Sequence, residues 1–390
     1  MIETEFYKMS KIMITFDHTI PGLESCQDMT NAIVLQDENS TTFITRCWIP
    51  LNDFQKSINP NAYFASIKII TEDSVISLNA QDTKEYLDFN GNSQMEGGGF
   101  HWGGEDARLF EHNNELYLYY CMTNPNPQKP YRSLEFLPFK DVLSRNNAPV
   151  RGNFITPKIF EQPSNAIEKN WLFFSNGSNI KAVYSLSPFI LGDILNNLLV
   201  ATLQREYPCL SRFRNIHFSS NAVTVNNHGY NELIFVFNDR TFNKYSSFIG
   251  FIDANSPHHL LRISEMPFVI DLPHDKLVYS SSITVLNKKS LFAELNDSLI
   301  ISGGVDDYLV FKQEVRVAEL VKLKTIDCTC WTEYSMNDNR KCSCQCAFEF
   351  FRMISIVTIV LISIMGAISL FRKFKKSRYI RISMVKENTC

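Results

Sequence analysis

The sequence lacks the G-x-S-x-G elbow of acyl-transfer enzymes and the G-x-x-x-x-G-K-[ST] loop that cradles nucleotide phosphates. No histidine–carboxylate spacing suits zinc; His258-His259 and His274 read as surface or turn histidines, so no metal and no cofactor are expected. Charge of one sign is scarce too. The 38 Lys and Arg nearly balance 41 Asp and Glu for a net −3, which leaves no nucleic-acid footprint spread over the chain. The opening residues, MIETEFYKMSKIMITFDHTIPG, have no apolar h-region of a secretory signal. Convincing helical periodicity is rare, and no exact internal repeat is visible.

What remains is rich in aromatics. Thirty Phe and fifteen Tyr favour extended structure, because flat rings pack well on a pleated surface. Between Asn31 and Glu319 short apolar runs such as AIVLQ, TFITRCWI, YFASIKII, ELIFVFND and SLIISGG recur, bounded by Asn, Asp, Gly or Pro. EHNNELYLYYC predicts a hairpin turning at Asn113 and Asn114. Phe189 to Leu203 is a candidate helix, and Leu134 to Leu143 a single helical turn. Short antiparallel strands at even spacing predict an all-β sandwich, barrel or propeller, and the length suits a five-bladed β-propeller of about 60 residues per blade.

The run from Met353 to Phe371 holds no charge, and Arg372, Lys373, Lys375, Lys376, Arg378 and Arg381 follow it. At about 1.5 Å per residue it matches a hydrocarbon core of roughly 30 Å, predicting a single C-terminal transmembrane helix. The positive-inside tendency puts the basic tail in the cytoplasm and the large domain in the lumen or outside; a tail-anchored arrangement would reverse this. The sequons at Asn39, Asn176 and Asn296 favour the lumenal side and glycosylation. Cys328, Cys330, Cys342, Cys344 and Cys346 cluster before the helix and read as a disulfide-stapled stalk. Cys26, Cys47, Cys121 and Cys209 are scattered, as buried residues or long-range pairs would be. The expected organisation is a propeller over 1–325, a Cys-rich juxtamembrane stalk over 326–350, a transmembrane helix over 351–371 and a basic tail over 372–390.

The densest polar–aromatic stretch is Gly97-Gly-Gly-Phe-His-Trp-Gly-Gly-Glu-Asp-Ala-Arg108. Glycines let backbone approach a ligand closely. Trp102 could stack on a sugar ring, and a Glu105–Asp106 pair with Arg108 could hold one acid poised while the cation fixes its neighbour. The same residues would also serve as a structural ion pair in a tight loop between blades.

Glu105-Asp106-Ala107-Arg108-Leu109-Phe110, followed by Glu115-Leu-Tyr-Leu-Tyr-Tyr120, resembles the E-D-P-R signature and next strand of the family 130 glycoside hydrolases and phosphorylases. Glu168-Lys169-Asn170-Trp171 resembles that family's E-K-N-W. His217 to Val223 resembles the next blade's entry, and Ser302-Gly-Gly-Val-Asp-Asp307 resembles the late Y-G-x-x-D turn. The resemblance spans roughly residues 25 to 320 and implies a five-bladed propeller acting on β-mannosides, a fold shared with related β-mannosyltransferases. It implies Asp106 as the acid that protonates the departing glycosidic oxygen. It places Arg108, Lys169 and His217 at or near substrate or phosphate, and Asp307 on a sugar hydroxyl. Ala107 replaces the signature proline, Gly303 stands where an aromatic is usual, and Arg212, Arg214 and His217 do not reproduce the phosphorylase pattern. Families 32 and 43 share the five-bladed fold but place their first catalytic Asp in the first blade, where only Asp17 is so placed.

Inverting hydrolysis would need a second carboxylate about 6.5–9.5 Å from the first; Glu105, Glu168, Asp239, Asp306 and Asp307 are the candidates. The leading expectation is a membrane-anchored carbohydrate-active enzyme transferring mannose from a sugar phosphate or nucleotide sugar, with Asp106 as general acid or base. Hydrolysis or phosphorolysis comes next. The alternative from another class is a non-catalytic propeller that binds surface glycans as a lectin or receptor.

Overall fold

The computed structural model describes residues 11–14, 21, 23–24, 26–49, 63–78, 101–123, 132–144, 153–158, 170–241, 244–255, 258–267, 278–306, 309–333 and 341–343. The chain divides into two compact units, 1–341 and 342–390. The first is an all-β, five-bladed propeller. The expected transmembrane run, tail and most of the stalk lie outside the described residues. No helix among the described residues is long and apolar enough to cross a membrane.

Strand β1 (Lys11–Ile14) precedes the first blade. That blade comprises β2 (Asp28–Gln36), β3 (Thr41–Ile49), β4 (Tyr63–Ile70) and β5 (Val75–Leu78). Blade two is β6 (His101–His112), β7 (Glu115–Thr123), β8 (Arg132–Pro138) and β9 (Asn153–Lys158), with the one-turn helix α1 (Phe139–Leu143) where a single turn is expected. Blade three is β10 (Leu172–Ser175), β11 (Ile180–Leu186), β12 (Phe189–Leu195) and β13 (Leu198–Glu206). Blade four is β14 (Ile216–Asn227), β15 (Tyr230–Thr241), β16 (Lys244–Asp253) and β17 (Leu260–Ser264). Blade five begins with β18 (Val278–Val285). The short β19 (Phe292–Glu294) joins β14, and β20 (Ser298–Val305) and β21 (Leu309–Arg316) follow, then helix α2 (Val317–Val321). β1 pairs antiparallel with β21, so the N-terminal strand completes the last blade and closes the ring.

The innermost strands β2, β6, β10, β14 and β18 surround the central axis and contact one another across it. Inner strands such as β2 and β14 bury long unbroken runs, because neighbouring blades cover both faces. The short outer strand β5 alternates between buried and half-buried positions, as a one-sided strand must. Ile33, Ile67, Leu109, Val223, Ile283 and Ile301 are fully buried in one cluster shared by blades one, two, four and five. Phe110, Tyr119, Trp171 and Phe173 form an aromatic wedge between blades two and three, with Tyr119 and Phe173 rings 4.5 Å apart.

The β6–β7 hairpin turns at Asn113 and Asn114, with φ of 51° and 60°, as the sequence predicts. Two residues at positive φ suit the right-handed twist of the flanking strands, and asparagine tolerates that region. Phe189 to Leu203 is not a helix. It is the β12–β13 hairpin, turning at Asn196 and Asn197 with φ of 49° and 62°. Its apolar positions fit either period, and the paired asparagines decide for the turn.

Two strands of a C-terminal strap run along the outside. β22 (Thr325–Asp327) pairs with β17, and β23 (Trp331–Glu333) pairs with β13. Cys328 bonds to Cys209, closing a loop with a sequence separation of 119, and Cys26 bonds to Cys47. Cross-links over loops of that length contribute roughly 2–4 kcal/mol by constraining the unfolded chain. Arg205 lies 4.0 Å over Trp331, bonds Glu333 at 2.8 Å and donates to His259 Nδ1 at 2.6 Å. Residues 326–333 of the expected stalk therefore pair with the blades.

Candidate active site

One end of every inner strand is irregular. The β2–β3 register shifts between Thr30 and Ile33, with Asn31 at φ 56°. The β6–β7 register shifts between Glu105 and Arg108, with Asp106 at φ 55°. Asn170, at φ 63°, leads into β10, and shifts recur in β14 after Phe218 and in β18 after Ser280. Bulges re-aim side chains. In β6 the bulge lets Glu105, Asp106 and Arg108 all reach the central mouth while Ala107 packs into the core.

These irregular segments line a cavity of about 410 Å³ to which all five blades contribute. Arg46 Nη1, from β3, lies 3.4 Å from Glu105 Oε2 and 3.4 Å from Asp106 Oδ1. Asn31 Nδ2 donates to Asp106 Oδ1 at 3.0 Å. The buried Asn31 amide oxygen has no partner among the described residues, so it offers an acceptor to a ligand hydroxyl. The Arg46 guanidinium stacks 4.4 Å over the Trp48 ring, which fixes its plane. One cation thus holds two carboxylates at the mouth.

Arg108 faces the same cavity with its donors engaged by protein. Its Nη2 donates to Asn170 Oδ1 at 2.8 Å and to the Phe218 carbonyl at 3.1 Å, and its Nη1 donates to the Trp171 carbonyl at 3.4 Å. The side chain ties blades two, three and four together. Tyr119 donates to the same Trp171 carbonyl at 3.1 Å, and burial pushes its phenol pKa up, so it remains a donor.

Blades four and five furnish an aromatic and cationic wall. The His217 ring is 6.0 Å from Tyr245, whose ring is 6.1 Å from Tyr279, and the Arg240 guanidinium lies 5.6 Å from Tyr245. Tyr279 and Thr30 share a 2.6 Å hydrogen bond. Gly303 and Gly304 make room for Tyr279: a Cβ at 303 would lie 2.1 Å from its carbonyl oxygen, and one at 304 would lie 2.5 Å from its hydroxyl. Gly303 thus admits the Tyr279 backbone, and Gly304 admits its ring. Asn238 donates to Ser219 Oγ at 2.8 Å and accepts from Ser247 at 2.7 Å.

Of the residues singled out from sequence, Glu105, Asp106, Arg108 and His217 meet in this cavity. Asp239 does not: it alternates with the lining residues Asn238 and Arg240, and its carboxylate accepts the Asn215 N–H at 3.1 Å. Asp306 sits at φ 52° in the turn after β20, away from the lining. Lys169, Glu168 and Asp307 lie outside the described residues, as does the Trp102 side chain. Asn31, Arg46, Asn238, Tyr245 and Tyr279 were not foreseen. A lone Arg inside the apolar run TFITRCWI is the one signal that could have flagged Arg46. Among the described residues no group of three His, Cys, Asp or Glu could hold a metal ion. Asn39, Asn176 and Asn296 are exposed.

No protein-family model and no curated protein matches the sequence. Solved structures do match. A β-1,2-mannobiose phosphorylase from Listeria innocua superposes with a TM-score of 0.50 at 12% identity, over 80% of this chain and 98% of that one. The chain shares its fold with that phosphorylase. A mannose phosphorylase from Leishmania mexicana, in complex with phosphate, gives 0.44 at 11% identity over 82% of this chain and 92% of that one. A glycosyl hydrolase from Bacteroides ovatus gives 0.46 at 10% identity over 74% and 84%.

Proposed function

We propose that this chain is a carbohydrate-active enzyme that moves a mannose-type glycosyl unit between a glycoside and phosphate, with Asp106 as general acid and base. The observation that carries this reading is the Arg46-bridged pair, Glu105 and Asp106, at the mouth of a cavity that also holds His217 and Arg240. Both carboxylates lie 3.4 Å from one nitrogen, so they sit near or below the lower end of the ~6.5–9.5 Å separation that leaves room for an attacking water. They are the only carboxylates among the described lining residues. A nucleophile that brings its own charge suits such a site better than water, and cations are what phosphate requires. The shared fold with a mannobiose phosphorylase supports the choice of sugar and co-substrate.

In the forward direction a phosphate oxygen attacks the anomeric carbon, the glycosidic C–O bond breaks, and the Asp106 carboxyl gives its proton to the departing oxygen. In reverse, an acceptor hydroxyl attacks a glycosyl phosphate, phosphate leaves with the bonding pair, and the Asp106 carboxylate takes the hydroxyl proton. Arg46 and Asn31 hold the carboxyl in place. The uncharged run 353–371 with the basic residues after it supports a membrane-held enzyme, and the three sequons support a lumenal or extracellular domain. Such a setting favours the synthetic direction, assembly of surface glycan from a sugar phosphate.

The test is to incubate the full chain with β-mannosides, with and without phosphate, and with a mannosyl phosphate and acceptors, beside Asp106→Asn. Asparagine tolerates the positive φ at 106, so the backbone is preserved. Turnover that needs phosphate, falling about 10²–10⁴-fold in the variant, is expected. Equal turnover without phosphate would move the reaction to hydrolysis. Glycan binding with no turnover in either protein would sink the catalytic reading.

A further inference from the structure

At the opposite end of the inner strands a larger cavity, of about 910 Å³, opens between blades two, three and four and the 290–292 segment that follows β18. It lies within the size range of ligand sites, roughly 300–1,000 Å³. Its chemistry is the reverse of the catalytic mouth. No Lys or Arg is among its described lining residues. Its one carboxylate, Glu111, uses Oε2 to accept from Ser290 Oγ at 2.8 Å and the Leu291 N–H at 2.6 Å. Around the rim stand the amides of Asn114, Asn231 and Asn255, whose side chains make no hydrogen bond among the described residues. Phe174 belongs to the wall, and Phe292 lies at the edge with 38% of its surface exposed.

We infer that this second cavity is a binding site for a neutral oligosaccharide, separate from the catalytic mouth. Each side-chain amide carries both a donor and an acceptor, which is the pairing that neighbouring sugar hydroxyls present. An exposed phenyl ring matches the apolar C–H face of a pyranose. The lack of cations removes phosphorylated and carboxylated sugars from consideration, since neither would find a counter-charge. The walls come from turns whose backbones are fixed by β-pairing, so the positions from which the amides project are set before a ligand arrives. The site would grip the uncharged body of a glycan while the charged reaction proceeds at the other end of the ring.

The test uses the full chain in detergent micelles, with Ser178→Ala throughout so that no glycan attached at Asn176 occupies the mouth. Neutral linear oligosaccharides of mannose and of glucose are titrated by calorimetry, with inorganic phosphate as the charged control. Three versions are compared: this background, the same with Asp106→Asn and Arg46→Met, and the same with Asn114→Ala, Asn231→Ala and Phe292→Ala. The expected result is oligosaccharide binding that survives the catalytic-mouth changes and weakens at least about tenfold in the second-cavity triple variant. Turnover at the catalytic mouth in that triple variant stays within about twofold and serves as its folding control. Oligosaccharide binding lost with the catalytic-mouth changes, or equal in all three versions, would overturn the inference, as would no oligosaccharide binding at all. Failure here leaves the phosphate-dependent reaction at Asp106 standing, because that reaction is read by turnover.

Discussion

The two ends of the inner strands follow different rules. At the end proposed as catalytic the strands are bulged, Asn31, Asp106 and Asn170 sit at positive φ, and charges of both signs are brought together. At the far end the strands run in register into tight turns, such as Asn113-Asn114 and His228-Gly229, lined with neutral amides and phenyl rings. One set of strands thus accommodates irregular backbone where chemistry needs carboxylates aimed at the axis, and keeps regular pairing where it needs only a rigid rim.

Substitution should separate the ends. The largest effect belongs to Arg46→Met. It removes the cation between Glu105 and Asp106 and should cost much of the ~10²–10⁴-fold that a positioned acid contributes, read as kcat/KM on the phosphate-dependent reaction. Turnover within twofold of the parent would break the assignment of the catalytic end. Next comes Arg108→Met. It leaves the Phe218 carbonyl and Asn170 Oδ1 without that donor and the Trp171 carbonyl with Tyr119 alone, so unfolding in denaturant should show a loss of about 2–4 kcal/mol. A loss below about 1 kcal/mol would mean that Arg108 is not the clamp between blades. Smaller again is Asn114→Ala at φ 60°, which should cost about 1–2 kcal/mol of stability with turnover unchanged. A fall in turnover without a fall in stability would show that the two ends are coupled.

The β6–β7 turn was readable from sequence and the pairing across the irregular end was not, for a physical reason. The β6–β7 hairpin announces itself through Asn113-Asn114 between alternating runs, because a turn's chemistry is local. The bulges depend on partners far along the chain. Arg46 meets Glu105 across 59 residues, and Tyr279 meets Thr30 across 249. Asp106 is legible through its motif, whereas Asp239, one of five candidate second carboxylates, lies on the other side of its strand from the cavity lining. One residue of register decides that, and register is set by the bulges themselves. Phe189 to Leu203 misled because a hairpin with two apolar strands repeats at a spacing that a helix also satisfies.

Acid should distinguish the ends with the smallest effect of all. His258 is buried beside Phe174, under the far cavity, with its Nδ1–H directed to the Asp253 carbonyl at 3.1 Å. Burial pushes its pKa below the ordinary 6.5, outweighing the favourable influence of the Asp253 carbonyl. His259 is lowered too, by burial and then by Arg205, whose Nη1 needs the imidazole neutral to accept its hydrogen bond. For a base held neutral in the folded state, the unfolded chain binds more protons between the two pKa values. Stability should therefore be full above about pH 6.5, fall as pH drops through 6.5 towards the folded-state values, and level off below them. Melting temperature followed from pH 7.5 to 5 should show the decline, and a His258→Phe, His259→Gln double variant should flatten it. Hydrogen exchange should open first in β16–β17 and the strap, with the β2 and β6 bulges protected. A decline equally steep in the double variant would assign the acid sensitivity to other groups and remove this contrast between the two ends.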